Sequence, residues 1–366
     1  MNSSPLILLA AGGTGGHLFP AEALGVELIR RGLRVRLATD SRASRYSGLF
    51  SKDTIDLVPS ATVRSRAPWS LAYTGLMLAA GTAVSLSLMR RLKPAAVVGF
   101  GGYPTLPPLL AARLFGVPGI IHEANAVLGR ANRFLSTHVN AIATSLPGVL
   151  DRDPALAGKT TIVGTPMRPG ILAAAGMKYV PPELTGPFRL LVIGGSQGAR
   201  VMADIVPGAI ERLEPALWSR LVLTQQVREE DMARVRAVYD RLKIKAELAP
   251  FFSDLPARLA SHDLVVSRSG AGTVAELAAI GRPSILVPLP GSIDQDQFAN
   301  AGVLAQANGA IRIAQGDFTS DRLAAEISAL AAEPARLGAM AAKAGSVGRL
   351  DAAERLADLV MKVAGM

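Results

Sequence analysis

The chain has no cysteine among its 366 residues. That excludes a disulfide framework, a thiolate metal site and a cysteine nucleophile. Aromatic residues make up only 5% and do not interleave with the basic ones, so a nucleic-acid groove is not expected and nucleic acid is not a called-for partner. There are four histidines, and no His, Asp and Glu set has metal-ligand spacing; no metal and no cofactor are expected. The stretch "DPALAGKT" (153–160) lacks the leading glycine of a phosphate-binding P-loop, because Asp153 stands there. Two Asp-x-Asp stretches invite a metal reading. "DRD" (151–153) lies in a connector rich in proline and glycine, and in "DQD" (294–296) Asp294 more simply caps the helix that follows. The first residues, MNSSP, carry no Lys or Arg, and glycines interrupt the apolar run after Ala11. This is not a signal peptide, and the expected location is cytoplasmic.

What is present is a globular composition with a basic balance. Hydrophobic residues are 49%, charged residues 19%, and the formal net charge is +10. The length suggests two domains, and the charge favours anionic partners without choosing among them. Glycine turns are the recurring feature. "PLILLAA" reads as a buried strand, four glycines follow within residues 12–16, and a helical pattern begins near Pro20. A glycine turn between strand and helix lets backbone approach a ligand and aims free N–H groups at it. The expected guest is a phosphate or a developing anion, although the spacing is not the dinucleotide fingerprint, because Leu18 stands where its last glycine belongs. The turn ends on His17.

The theme repeats. "AAVVGF" runs into Gly101, Gly102 and Tyr103; "GIIHEANAVLGRANRFL" carries a strand into His122, Glu123 and Asn125. "FRLLVIGGSQGAR" begins a second strand–glycine turn–helix unit, and a further turn at 267–272 opens a helix bearing Glu276. Gln297 and Asn300 stand three apart on one helix face. Parallel sheets bind ligands at strand C-termini, so the pattern predicts two α/β halves placed face to face, with a phosphorylated ligand in the cleft. A carboxylate such as Glu276 suits ribose hydroxyls, and amides such as Gln297 and Asn300 suit sugar hydroxyls. The last helical pattern, with Leu350, Leu356, Leu359, Val360 and Val363 on one face, is expected to pack back on the first half. "APWSLAYTGLMLAAGTAVSLSLM" (67–89) is uncharged and flanked by Arg64, Arg66, Arg90, Arg91 and Lys93. One crossing of a membrane would split the parallel sheet, which leaves a buried core helix or an apolar patch on an anionic bilayer.

The blocks "GGTGGHLFPAEAL", "GFGGYPT", "IHEANAVLGRANR", "VGTPMR", "GGSQGAR", "SRSGAGTVAELAAIGRPSILVP" and "DQDQFANA", in that order, resemble the MurG family of N-acetylglucosaminyltransferases. The resemblance runs over nearly the whole chain. It implies an α/β fold of the GT-B type, with two Rossmann-like parallel-sheet domains facing across a cleft. The implied division is 1–167 as acceptor- and membrane-facing domain, with helix 348–366 packing back on it, and 168–347 as UDP-sugar domain. It implies inverting transfer of N-acetylglucosamine from UDP-N-acetylglucosamine to undecaprenyl-pyrophosphoryl-N-acetylmuramoyl-pentapeptide, at the inner face of the cytoplasmic membrane. Another UDP-sugar transferase of that fold, or a UDP-sugar sensor without turnover, remains the alternative.

Carried onto this chain, the resemblance puts the donor against Thr14, Gly15, Gly16, Asn125, Arg168, Ser196, Phe252, Gln297 and Asn300. It also implies the segment Ala271, Gly272, Thr273, Val274, Ala275 and Glu276, with Glu276 on the ribose. Two positions depart from the family pattern: Phe252 replaces an aliphatic residue beside the uracil, and Gly272 replaces the leucine of "GALT". With no metal implied, helix N-termini and Arg168 stabilise the leaving diphosphate. Gly13, Gly15, Gly16, Gly101, Gly102 and Tyr103 are expected to cradle the acceptor pyrophosphate. His17 is the candidate general base, its ordinary pKa lying near working pH, or alternatively an orienting residue. His122 is expected to support Asn125, and the anionic membrane surface is the expected macroscopic partner.

Overall fold

The structure, a computed structural model, describes residues 4–42, 48–61, 67–150, 153–195, 198–292 and 295–366. The chain divides into two compact units, Met1–Arg168 with Leu350–Met366, and Pro169–Arg349.

The first unit holds strands β1 (Leu6–Ala10), β2 (Arg34–Thr39), β3 (Ile55–Leu57), β4 (Ala96–Gly99), β5 (Gly119–Glu123), β6 (Ala141–Thr144) and β7 (Thr160–Ile162). They form one parallel sheet in the order β3-β2-β1-β4-β5-β6-β7. Ile7, Leu8 and Leu9 on β1 have no exposed surface, because helices cover both faces of a parallel sheet. That is why the sequence shows an unbroken apolar run there rather than an alternation. The order reverses between β1 and β4. In open α/β sheets the ligand crevice lies outside the strand C-termini at such a reversal. The first two glycine turns follow β1 and β4, and Gly12 N–H donates to Gly101 O at 3.3 Å, so the two turns meet there.

The second unit repeats the plan with β8 (Phe188–Ile193), β9 (Leu221–Gln226), β10 (Ala246–Ala249), β11 (Leu264–Ser267), β12 (Ser284–Leu286) and β13 (Ala310–Arg312). Their order is β10-β9-β8-β11-β12-β13, again parallel. The reversal lies between β8 and β11, and the remaining two glycine turns follow those two strands. Buried Arg282 donates to Leu259 O and Ala260 O at the end of the helix Leu255–Ser261, and to Met177 O. It thereby closes that helix and pins residue 177 to the body of its own unit.

Three expectations need correction. The helix after the first glycine turn runs Gly15–Arg30 and does not begin near Pro20, which lies inside it. Gly15, Gly16 and His17 are therefore its first turn. The C-terminal pattern is broken at 348–351, so Leu350 is 51% exposed while Leu356 and Val360, on the helix Ala352–Val363, are buried in the core of the first unit. The apolar stretch after residue 66 forms the helix Pro68–Leu92, which is core only at its end: Leu88 and Met89 are buried, whereas Trp69 is 77% exposed, Tyr73 59% and Leu76 67%. Its small polar residues face inward instead. Thr74 and Ser85 are buried, and a Cβ on Gly81 would stand 2.1 Å from Pro59 O, so only glycine allows that approach. Asp294, Arg64 and Arg66 lie outside the described residues.

Candidate functional site

In the first unit the half-site is built around the His17 ring. Three glycines wall it. A Cβ on Gly12 would lie 3.0 Å from His17 Nδ1, one on Gly101 3.3 Å from Nε2, and one on Gly102 3.4 Å from Cε1. Gly101 and Gly102 also hold φ of +90° and +80°, which side-chain-bearing residues rarely adopt. The second glycine turn thus makes room for the imidazole from above, beyond whatever it offers a ligand. Thr14 Oγ1 lies 3.2 Å from His17 Nδ1 and does not cap the helix. Burial of the ring, then the charge of Arg42, pull the His17 pKa down to about 4, against the opposing pull of Asp40. The expectation of a histidine titrating near working pH is corrected accordingly: the ring is neutral at pH 7.

The phosphate cradle is also narrower than its glycines suggest. The Gly13 amide helps keep the Asp40 carboxyl ionised, and Thr14 N–H donates to Gly12 O at 2.8 Å. The amides of Gly15 and Gly16 are different. They sit at the first two positions of the helix, whose N–H groups have no helical carbonyl four residues back. The positive end of the helix lies behind them, an arrangement suited to an anion. Tyr103 begins a short 3₁₀ turn, and Thr105 closes that turn by donating from both N–H and Oγ1 to Gly102 O.

Behind this lies Glu123, buried at the end of β5. Its Oε1 accepts from Asn125 N–H and Nδ2, both at 3.0 Å, and its Oε2 accepts from Gly129 N–H at 2.9 Å and Asn132 Nδ2 at 2.8 Å. Glu123, not His122, therefore supports Asn125. His122 bonds Gly164 O and Ser145 Oγ instead, and burial holds its pKa down to about 4. Arg168, the last residue of the first unit, stacks over the Phe19 ring at 3.8 Å. The structure thus places it with the first glycine turn.

In the second unit the turn after β8 is held from two sides. Gly194 N–H donates to Gln226 Oε1 at 2.8 Å, and Arg228 donates to Gly198 O at 3.0 Å. Gly194 admits no Cβ, which would lie 2.1 Å from Ala199 N. Ser196 lies outside the described residues. The turn after β11 opens the helix Ala271–Ile280. Ala271, Gly272 and Thr273 form its first turn; Val274 is buried, while Ala275 and Glu276 are partly exposed. A Cβ on Gly272 meets nothing within 4 Å, so its departure from the family pattern enlarges open space. Phe252 is buried, with the Arg258 guanidinium 4.3 Å over its ring. Gln297 Oε1 accepts from Leu289 N–H, and Ser269 Oγ donates to Gln297 O. Asn300 has no exposed surface and donates to Ser269 O at 3.3 Å. Gln297 and Asn300 both meet Ser269, Gln297 partly exposed and Asn300 buried, so Asn300 braces the turn after β11. Arg268, which composition and spacing did not single out, ties that turn to Val287 O and Pro288 O at 3.0 Å. Asp40 and Phe19 were likewise unmarked, and Glu123 was named without its bracing role.

Comparison with known proteins agrees with this plan. The glycosyltransferase family 28 N-terminal domain matches residues 7–144 and the C-terminal domain of that family matches 189–356. A protein of Bradyrhizobium diazoefficiens named UDP-N-acetylglucosamine–N-acetylmuramyl-(pentapeptide) pyrophosphoryl-undecaprenol N-acetylglucosamine transferase is 81% identical over 100% of both chains. A protein of the same name from Nitrobacter winogradskyi is 78% identical, covering 100% of this chain and 99% of its own. The crystal structure of Acinetobacter baumannii MurG superposes with a TM-score of 0.78 at 28% identity, covering 98% of this chain and 99% of that one. With both sheets, all four glycine turns and full-length identity in agreement, the chain belongs to the MurG family of glycosyltransferases.

Proposed function

We propose that this protein transfers N-acetylglucosamine from UDP-N-acetylglucosamine to undecaprenyl-pyrophosphoryl-N-acetylmuramoyl-pentapeptide, with inversion at the anomeric carbon. The observation that carries the reading is the 81% identity, over the full length of both chains, to a transferase of that name. The glycine turns at each sheet's reversal supply the matching geometry.

The chemistry needs two things: a proton acceptor at the attacking hydroxyl and fixed donors for charge growing on the leaving diphosphate. On the donor side, the turn after β8 and the first turn of the helix Ala271–Ile280 present amides to the diphosphate and nucleotide. Glu276 takes the ribose. Arg168, braced on Phe19, adds a cation. On the acceptor side, the amides of Gly15 and Gly16 receive the lipid's pyrophosphate, and the neutral His17 ring meets the sugar hydroxyl. An arriving dianion raises the proton affinity of a neighbouring imidazole. The acceptor itself therefore strengthens His17 as a base when it is needed.

The helix Pro68–Leu92 carries the acceptor's lipid context. Its outward stripe of Trp69, Tyr73, Leu76 and Val84 suits a bilayer surface, and at one end Arg90 lies 5.8 Å over Phe115. In this reading the helix lies on the inner face of the cytoplasmic membrane.

The test is incubation with radiolabelled UDP-N-acetylglucosamine and a short-chain lipid-linked muramoyl-pentapeptide. Label entering the lipid fraction supports transfer. Donor binding without transfer favours a UDP-sugar sensor.

A further inference from the structure

The order β10-β9-β8-β11 puts the C-terminal end of β9 between the turn after β8 and the loop after β10. Gln226 is the last residue of β9 and is 6% exposed. Its amide spends both ends. Oε1 accepts from Gly194 N–H at 2.8 Å, and Nε2 donates to Pro250 O at 3.0 Å. The amide fits only this way round, since a backbone N–H can only donate and a carbonyl can only accept. The chain just beyond it is fixed as well, because Val227 N–H donates to Ala249 O at 3.0 Å.

Its neighbours hold other points of the same turn. Gln225, on the opposite face of the strand, donates to Met202 O in the first turn of the helix Arg200–Glu211 and accepts from Tyr239 Oη. Arg228 donates to Gly198 O at 3.0 Å. These two side chains serve the turn after β8 and the helix it opens. Gln226 also reaches across to the loop after β10, which carries exposed Phe251 and buried Phe252. The turn and the loop both lie outside strand C-termini, where open α/β sheets take their ligands.

We infer that Gln226 is a positioning residue for the sugar-nucleotide donor: its one amide sets the spacing between the turn after β8 and the loop after β10. This rests on the donor reading above, in which that turn meets the diphosphate and the loop bearing Phe252 meets the base. A ligand held at two points binds tightly when the points already stand at the right distance. If the distance wanders, each end still binds, but the joint gain is lost.

The experiment measures the affinity of the full chain for UDP and for uridine by calorimetric titration, with melting temperature as the check on folding. Gln226→Met keeps the length of the side chain and removes both hydrogen bonds. UDP binding then weakens about tenfold or more while uridine binding changes less than about threefold, so the preference for UDP over uridine narrows. Gln226→Asn keeps an amide in the buried slot but is one methylene too short to reach both partners, and it narrows the preference in the same way. It carries the test if the methionine variant melts below the assay temperature. Equal weakening of UDP and uridine is what general loosening of the unit produces, and it overturns the inference. Unchanged UDP affinity in a folded variant overturns it too. A wild-type chain that binds no UDP removes the donor reading itself, and the inference with it.

Discussion

The Arg168 guanidinium lies 3.8 Å from the centre of the Phe19 ring, and the same ring would stand 2.8 Å from a Cβ on Gly15. A glycine in the first helical turn, an aromatic ring one turn on and a distant arginine are thus stacked in sequence. If Arg168 meets the donor diphosphate, Phe19 sets its position. A cation–π contact of this kind is worth about 0.5 to 2 kcal/mol. Phe19→Leu is expected to raise the donor KM by about threefold to thirtyfold with little change in kcat, and Phe19→Tyr to keep it. Steady-state kinetics in donor concentration decides this; an unchanged KM in Phe19→Leu disconnects the ring from the donor.

Gly101→Ala is the sharpest probe of the His17 pocket. The new Cβ meets the imidazole at 3.3 Å from a backbone at φ +90°, so the ring or the turn must shift. We expect kcat to fall at least tenfold while donor affinity, measured by calorimetry, stays within about twofold. His17→Ala should show the same split with a larger loss of turnover. Weakened donor binding with intact turnover in either variant would remove His17 from the acceptor side.

Acid sensitivity should trace to the buried imidazoles, His122 and His17 alike, and His122 isolates one share of it. The folded pKa of His122, about 4, lies below the ordinary 6.5, so the folded state binds fewer protons than the unfolded one. The stabilisation is complete above pH 6.5 and is lost as pH falls to 4. A shift of that size corresponds to about 3 kcal/mol. Melting temperatures from pH 7.5 to 4.5 measure it, and His122→Gln should flatten the decline. A decline of the same steepness in the variant would place the acid-labile group elsewhere.

Leu76→Asp combined with Tyr73→Asp tests the membrane reading. Both side chains are exposed, so folding is untouched while an apolar stripe gains two charges. Burying one leucine-sized side chain is worth about 1.5 to 3 kcal/mol. Sedimentation with vesicles rich in anionic lipid should show at least a tenfold loss of binding. Turnover on a short-chain, water-soluble acceptor should change less than twofold. Undiminished sedimentation would mean that another surface docks.

The strands that hold the glycine turns were legible because they are central: β1, β4, β8 and β11 are covered on both faces and read as unbroken apolar runs. The edge strands β3, β10 and β13 were not, since three or four residues of mixed character carry no period. Among site residues, the glycines and His17 stood out by local pattern. Glu123 acts across the chain, reaching Asn132 nine residues on. No local spacing announces such a bond. Pro20 misled for a related reason. Proline suits a first helical turn by its missing N–H, yet tertiary packing holds the helix Gly15–Arg30 through it.

The first half of the helix Pro68–Leu92 buries Thr74 and shows Trp69, Tyr73 and Leu76. Its packing and its outward face are therefore written in different letters of one segment. Thr74, Gly81 and Ser85 face inward along it, Leu88 and Met89 anchor its end in the core, and Trp69, Tyr73 and Leu76 face its surroundings. Address and scaffold can be edited separately. An engineer could rewrite the outer stripe in charged letters and leave the inner one alone, changing what the helix offers its surroundings without retouching the site.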